Sequence, residues 1–174
     1  VAGAAPSAAG GGGLIDDVLV YVIEPNVYRL SHGSGATAAT LKELAPKYDV
    51  TIETDDTHVL SLQGPASLSV LAPHTPLKIA ELGYFKHAPT TLFGKSIQLA
   101  RGGYSGERGY EVFCSRDDAV YLWDAILEAG KPFGVMPVSW TCLDIVRVEG
   151  GLLFFPFDMP HPDTTPWEVK ADWT

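Results

Sequence analysis

Residues 101–113 read RGGYSGERGYEVF, a stretch punctuated by Gly102, Gly103, Gly106 and Gly109 that turns into an alternating run at Tyr110. That alternation predicts a strand in which Tyr110 and Val112 share one face and Glu111 and Phe113 the other. Just upstream, KSIQLARG (95–102) is a second run of strand type, so the two predict an antiparallel pair joined through a glycine-rich turn. A carboxylate beside Phe113 is costly to bury unless N–H donors meet it. Either that face is solvated, or Glu111 awaits a ligand with adjacent N–H donors. A planar heterocycle bearing amino and amide nitrogens fits the second case, with aromatic side chains to stack on it.

Working outward, LIDDVLVYVIE (14–24) and VYRLS (27–31) flank Pro25-Asn26 and predict a hairpin. ATAATLKELA (36–45) predicts a helix, with Ser34 or Thr37 as cap and Pro46 as stop. DVTIETDD (49–56) and THVLSLQG (57–64) predict a second strand pair, and GPASLSVLAP (64–73) a short helix. SRDDAVYLWDAILEAG (115–130) is the clearest helix. Ser115 suits its cap, Asp117 and Asp118 suit its N-terminal dipole, Val120, Trp123 and Leu127 form an apolar stripe, and Gly130 fits a left-handed stop. SWTCLDIVRVEGG (139–151) predicts another helix ending at Gly150 and Gly151. The prolines at 156, 160, 162 and 166 leave the tail to loops. Strand pairs interspersed with helices in this order predict an α+β fold, helices packed on mostly antiparallel sheet. Residues 1–13, VAGAAPSAAGGGG, read as a flexible lead or loop, and 14–174 as one domain.

With 174 residues and 46% apolar side chains the chain can bury a core. A formal charge of −9 without a Lys/Arg cluster excludes nucleic acid as an expected partner. No apolar run is long enough for a bilayer span, so no membrane is expected either. Cys114 and Cys142 are too few for a disulfide framework, which favours a reducing, cytoplasmic setting. The five histidines never approach ligand spacing, and no metal is expected. The glycine run 10–13 lacks dinucleotide-loop spacing, and GYSGE is not a nucleophile elbow.

Asp16 and Asp17 occupy successive positions of an apolar strand, so one of them should face inward. The pair either starts the strand at its solvated end or sets a carboxylate at the edge of an apolar cavity, where it can accept a hydrogen bond or steady a cation.

Six blocks in order carry a resemblance: GGLIDDVLVY, SLQGPASLSVL, RGGYSGERGYEVF, LWDAILEAG, DIVRVEGGLLFFPFDM and TTPWEVKADWT. Together they are similar to the aminomethyltransferase family, the T-protein of the glycine cleavage system and its relatives. The resemblance implies a protein that binds tetrahydrofolate and accepts an aminomethyl or methyl group onto it, from a small one-carbon donor or a carrier protein. It assigns Asp17, with Asp16 as substitute, as the acidic group beside the nitrogens that receive the carbon. Glu111 resembles the residue that pairs with the amino and ring N–H groups of the pterin. Tyr104, Tyr84 and Phe85 fall where the family carries aromatics around that ring. The sequence departs from glycine-cleavage members at Leu143, where an arginine is usual, and at Ser31, followed by His32, where an asparagine is usual. Those changes point to a relative acting on another donor. The family's folds extend further at both ends, so 14–174 is read as the central part of a longer protein, whose uncovered surface would favour self-association. A noncatalytic folate-binding module, or a structural subunit of an amine-oxidising complex, is the alternative.

Overall fold

The computed structural model describes residues 4–6, 12–33 and 35–159. They divide into two compact units, one drawn from residues 1–54 and 153–174 and the other spanning Asp55–Leu152. The fold is α+β, as the order of strand and helix signals implies.

In the first unit, β1 (Ala4–Pro6) pairs antiparallel with β2 (Gly12–Leu14), within the stretch read as a lead. β3 (Val18–Glu24) and β4 (Val27–His32) form the expected hairpin, with Asn26 at φ 66 supplying the left-handed residue of the turn. Asp16 and Asp17 precede β3 and are not part of it. α1 (Thr37–Leu44) follows, and its N-cap Ala36 provides no side-chain bond. Thr37 is the first helical residue and not the cap, and Ser34, the other cap candidate, lies outside the described residues.

The second unit is built on a four-stranded sheet of order β5-β8-β7-β6, all neighbours antiparallel: β5 (His58–Gln63), β6 (His87–Leu92), β7 (Lys95–Ala100) and β8 (Gly109–Cys114). β7 and β8 pair as the opening stretch implies. β5 pairs with β8 and not with residues 49–56, which carry no regular strand: Asp49, Glu53, Asp55 and Asp56 are all exposed, and an acidic run in water has nothing to gain from a ladder. β6 was hidden by Pro89, which an edge strand tolerates because its N–H position faces away from the ladder.

One face of this sheet is covered by α2 (Ser67–Leu71) and α3 (Arg116–Gly130), which pack on each other and on β5 and β8. Leu62, Val70, Leu71, Ile79, Leu99, Tyr110, Val112 and Leu122 make a continuous apolar core there. Ser115 caps α3 by accepting from Asp118 N at 3.2 Å. The buried stripe of α3 is Ala119, Leu122 and Ile126, whereas Val120 is 72% exposed and Trp123 42%. The helix carries two apolar stripes, and only packing decides between them. The left-handed stop falls at Gly134, beyond a turn of 3-10 helix. α4 (Trp140–Glu149) is capped by Ser139 and ends at Gly150.

Candidate functional site

In the first unit a single buried carboxylate organises the chain around the aspartate pair. Asp16 is 2% exposed. Its Oδ1 accepts from Asp17 N at 2.9 Å, its Oδ2 accepts from Thr37 N at 3.4 Å, and His32 Nδ1 lies 3.5 Å from the same Oδ2. Asp16 thus supplies from across the chain the cap that α1 lacks locally, at the end of the helix where a negative charge is stabilised. Ala36 N donates to Ile15 O at 2.9 Å in the same junction. Gly35 is required there, because a Cβ would stand 2.4 Å from Asp16 Cγ. Asp17 is partly exposed, and among the described residues its carboxylate has no hydrogen-bond or ion-pair partner. Asp16 is therefore the inward-facing member of the pair, and Asp17 the one with a carboxylate to offer.

In the second unit Glu111 sits mid-way along β8, directly opposite Ser61 on β5 and Ala100 on β7, with His87 of β6 opposite Ala100. Directly opposed residues share a face, so these four form one row across the sheet. The row is on the face away from the helices, since Tyr110, Val112 and Cys114 point into the core. Glu111 is half-buried between Tyr110 and Val112, both fully buried. Gln98 bonds His87 Nδ1 at 2.7 Å, which extends the polar character of the face.

The loop before β8 is locked from below by Gln63, which the sequence reading missed. Its Nε2 donates to Gly102 O at 3.2 Å and to Ser61 Oγ at 2.9 Å, and its Oε1 accepts from Ser105 Oγ at 2.8 Å. The amide lies so close under Gly103 and Gly109 that a Cβ at either would stand 2.1 or 2.0 Å from it. The sequence signal was the glycine spacing itself, which leaves room for something to lie against the loop.

Tyr84 and Phe85 are exposed, with ring centroids 4.2 Å apart. Phe85 adopts φ 55 and its N–H donates to Arg101 O at 2.9 Å, tying the aromatic turn to the start of the glycine loop. Tyr84 lines a pocket of about 240 Å³ with Arg101, Glu107, Arg108 and Leu152. Arg101 Nη1 donates to Leu82 O at 2.9 Å, and Arg108 donates from Nε and Nη2 to Tyr110 Oη. Neither Glu111 nor Tyr104 lines this pocket, although Tyr104 belongs to the loop that forms one wall. Each group of residues is thus placed within its own unit: Asp16 and Asp17 in the first, Glu111, Tyr104, Tyr84 and Phe85 in the second. Among the described residues no cluster of His, Cys, Asp and Glu could hold a metal, and no helix is long and apolar enough to cross a membrane.

Residues 6–174 match the family described as GCVT N-terminal domain. The chain is 45% identical over 172 residues to the heme-dependent oxidative N-demethylase gamma subunit of Ectopseudomonas mendocina (strain ymp), covering 94% of this chain and 46% of that protein. It is 31% identical over 167 residues to an aminomethyltransferase of Chloroherpeton thalassium (strain ATCC 35110 / GB-78), covering 93% and 46%. The structure of glycine cleavage system aminomethyltransferase T from Bartonella henselae superposes with a TM-score of 0.74 at 27% identity, over 88% of this chain and 41% of that one. The chain spans a little under half the length of these relatives. With nearly its whole length matched, and with the α+β fold shared, the chain belongs to the GCVT N-terminal domain family of the glycine cleavage T-protein.

Proposed function

We propose that the protein containing this chain binds a reduced folate, tetrahydrofolate, and moves a one-carbon unit onto it from a small methylated or aminomethylated donor. The observation that carries the reading is Glu111: a half-buried carboxylate on an inner strand of the sheet, on the face opposite the helices. A carboxylate presents two acceptor oxygens side by side, and the adjacent amino and ring N–H groups of a pterin match them. Tyr84, Phe85 and Tyr104 supply aromatic surface in the same unit. When bound, the folate supplies a nucleophilic amine. Asp17, whose carboxylate is not consumed by the fold, orients that amine and offsets the positive charge that develops at the transferred carbon.

The test is a fluorescence titration of the longer natural protein with tetrahydrofolate, followed by turnover with N-methylated donors. Saturable binding is expected, and its absence would refute the reading. A second reading has its own support: a relative is named as the gamma subunit of an oxidative N-demethylase, one part of an assembly, which fits a folate-binding or structural part of an amine-oxidising complex. Folate binding without any one-carbon turnover by the assembled protein would favour it over the first.

A further inference from the structure

We infer that the pocket at the glycine-rich loop binds a small free amino acid, with Arg101 and Arg108 for its carboxylate and Glu107 for its ammonium group. The lining residues all lie in the second unit and Glu111 is not among them, so the inference stands independently of the folate reading. Arg101 and Arg108 bracket the loop, and both are half-buried. Each guanidinium bonds neutral oxygens only: Arg101 donates to Leu82 O, and Arg108 to the Tyr110 hydroxyl, which itself donates to Ile79 O at 3.2 Å. Among the described residues no carboxylate pairs with either arginine. The chain has 21 acidic residues against 12 basic ones, so counter-charges are not scarce; the fold leaves these two without one. An arginine has five N–H groups, and these bonds use one and two of them. The guanidiniums are therefore tethered with donors to spare, the arrangement a carboxylate fits.

The cradle is also held in place. Arg101 N donates to Lys86 O at 2.9 Å, and Arg108 O accepts from Gly64 N at 2.9 Å and from Ser67 Oγ at 3.1 Å. Between them Gly106 packs so closely on the end of α4 that a Cβ on it would stand 2.8 Å from Gly150 Cα. A ligand met by groups held this way loses little binding energy to ordering them. Glu107 sets the class of ligand. It lines the same pocket, is exposed, and among the described residues its carboxylate has no partner. A free amino acid satisfies all three charges, whereas a phosphate or a dicarboxylate would set its second charge against Glu107. Leu152 and the exposed ring of Tyr84 supply apolar wall, and an aromatic face also suits an ammonium group. At about 240 Å³ the pocket is smaller than the roughly 300–1,000 Å³ that holds a drug-sized ligand, which favours a molecule of amino-acid size.

The experiment titrates the longer natural protein with glycine, L-alanine and L-valine, read by ligand-observed NMR. Saturable binding of at least one is expected, and binding of none overturns the proposal. The matching acids that lack the amino group, acetate, propionate and isovalerate, are expected to bind about tenfold more weakly; equal affinity overturns the zwitterion match. Arg108→Gln leaves Tyr110 its bond to Ile79 O and is expected to weaken amino-acid binding about tenfold, while unchanged binding counts against the site. Should that variant fail to fold, Glu107→Gln decides, because its side chain takes no part in the bonds of the fold. It is expected to erase the preference for an amino acid over its matching acid, and a preference that persists overturns the assignment. Saturating tetrahydrofolate is expected to leave amino-acid binding within about twofold; direct competition would give the pocket to the folate and overturn the proposal. Amino-acid binding by a protein that takes up no tetrahydrofolate would sink the folate reading and leave this one standing.

Discussion

An alanine at position 109 would place its Cβ 2.0 Å from Gln63 Oε1, and the glutamine could escape only by swinging off the loop. It would then give up its bonds to Gly102 O and Ser105 Oγ. Leaving buried polar groups unpaired costs about 1–3 kcal/mol, so Gly109→Ala is expected to lower stability by that amount in a urea titration. Because Gln63→Ala removes the same bonds and the obstruction, the double variant should cost less than the sum of the singles. Strict additivity would refute the coupling. At Glu111 the change to Gln keeps shape and removes charge. It should weaken tetrahydrofolate binding about tenfold, the loss of roughly 1.4 kcal/mol of charge-assisted pairing, and calorimetry showing equal affinity would remove Glu111 from the folate site. Asp17→Asn should instead spare affinity and reduce kcat by about 10²–10³-fold, the range for removing one group that stabilises developing charge; equal turnover of mutant and parent would remove Asp17 from the chemistry.

Among elements, the N-terminus of α3 is tied to β7 by Lys95 Nζ, 2.7 Å from Asp118 Oδ1. The hydrogen bond from Lys95, then that from Ser115, hold the Asp118 carboxyl below its ordinary value of 3.8, and the same pair raises Lys95 above 10.5. A lowered acid stabilises the fold above its unfolded value and loses that contribution as pH falls through its folded value. A raised base contributes below 10.5 and loses its share as pH climbs through its folded value. Asp118→Asn should therefore lower the melting temperature at neutral pH, with the difference narrowing below about pH 4 and again above about pH 10.5; a constant difference down to pH 2 would contradict the pair. At α4 the contact is backbone on backbone: a Cβ at Gly150 would stand 3.0 Å from Gly106 Cα. Gly150→Ala should loosen α4, read as faster amide exchange over 140–149, while exchange in β7 and β8 stays slow. The elements that sequence made legible are those whose cause is local: the Ser115 cap of α3, the β3–β4 hairpin, and the pleat that separates Glu111 from Tyr110. What escaped was long-range. Asp16 caps α1 from 21 positions away, Gln63 reaches a loop some 40 residues on, and the choice between two apolar stripes on α3 depends on the sheet beneath it. The importance of Glu111 could be suspected from a carboxylate in an apolar strand, but the row of Ser61, Ala100 and His87 beside it required the strand order.

For the molecule as a whole, exposed apolar residues are numerous: Val120, Met136, Val138, Ile145 and Val148 all stand largely in solvent. Exposed apolar side chains in this number are expected to drive self-association. Sedimentation of this chain should show mass rising with concentration, and replacing Val138, Ile145 and Val148 by serine should abolish the rise; a monomer at all concentrations would count against it. The two rims of the four-stranded sheet are also unequal. On one side β6 carries Pro89, which offers no N–H to a visitor, while on the other β5 runs from His58 to Gln63 without a proline. The sheet consequently has a direction of growth: a strand arriving from another polypeptide can zip onto β5 along its full length, and would find a missing tooth at β6.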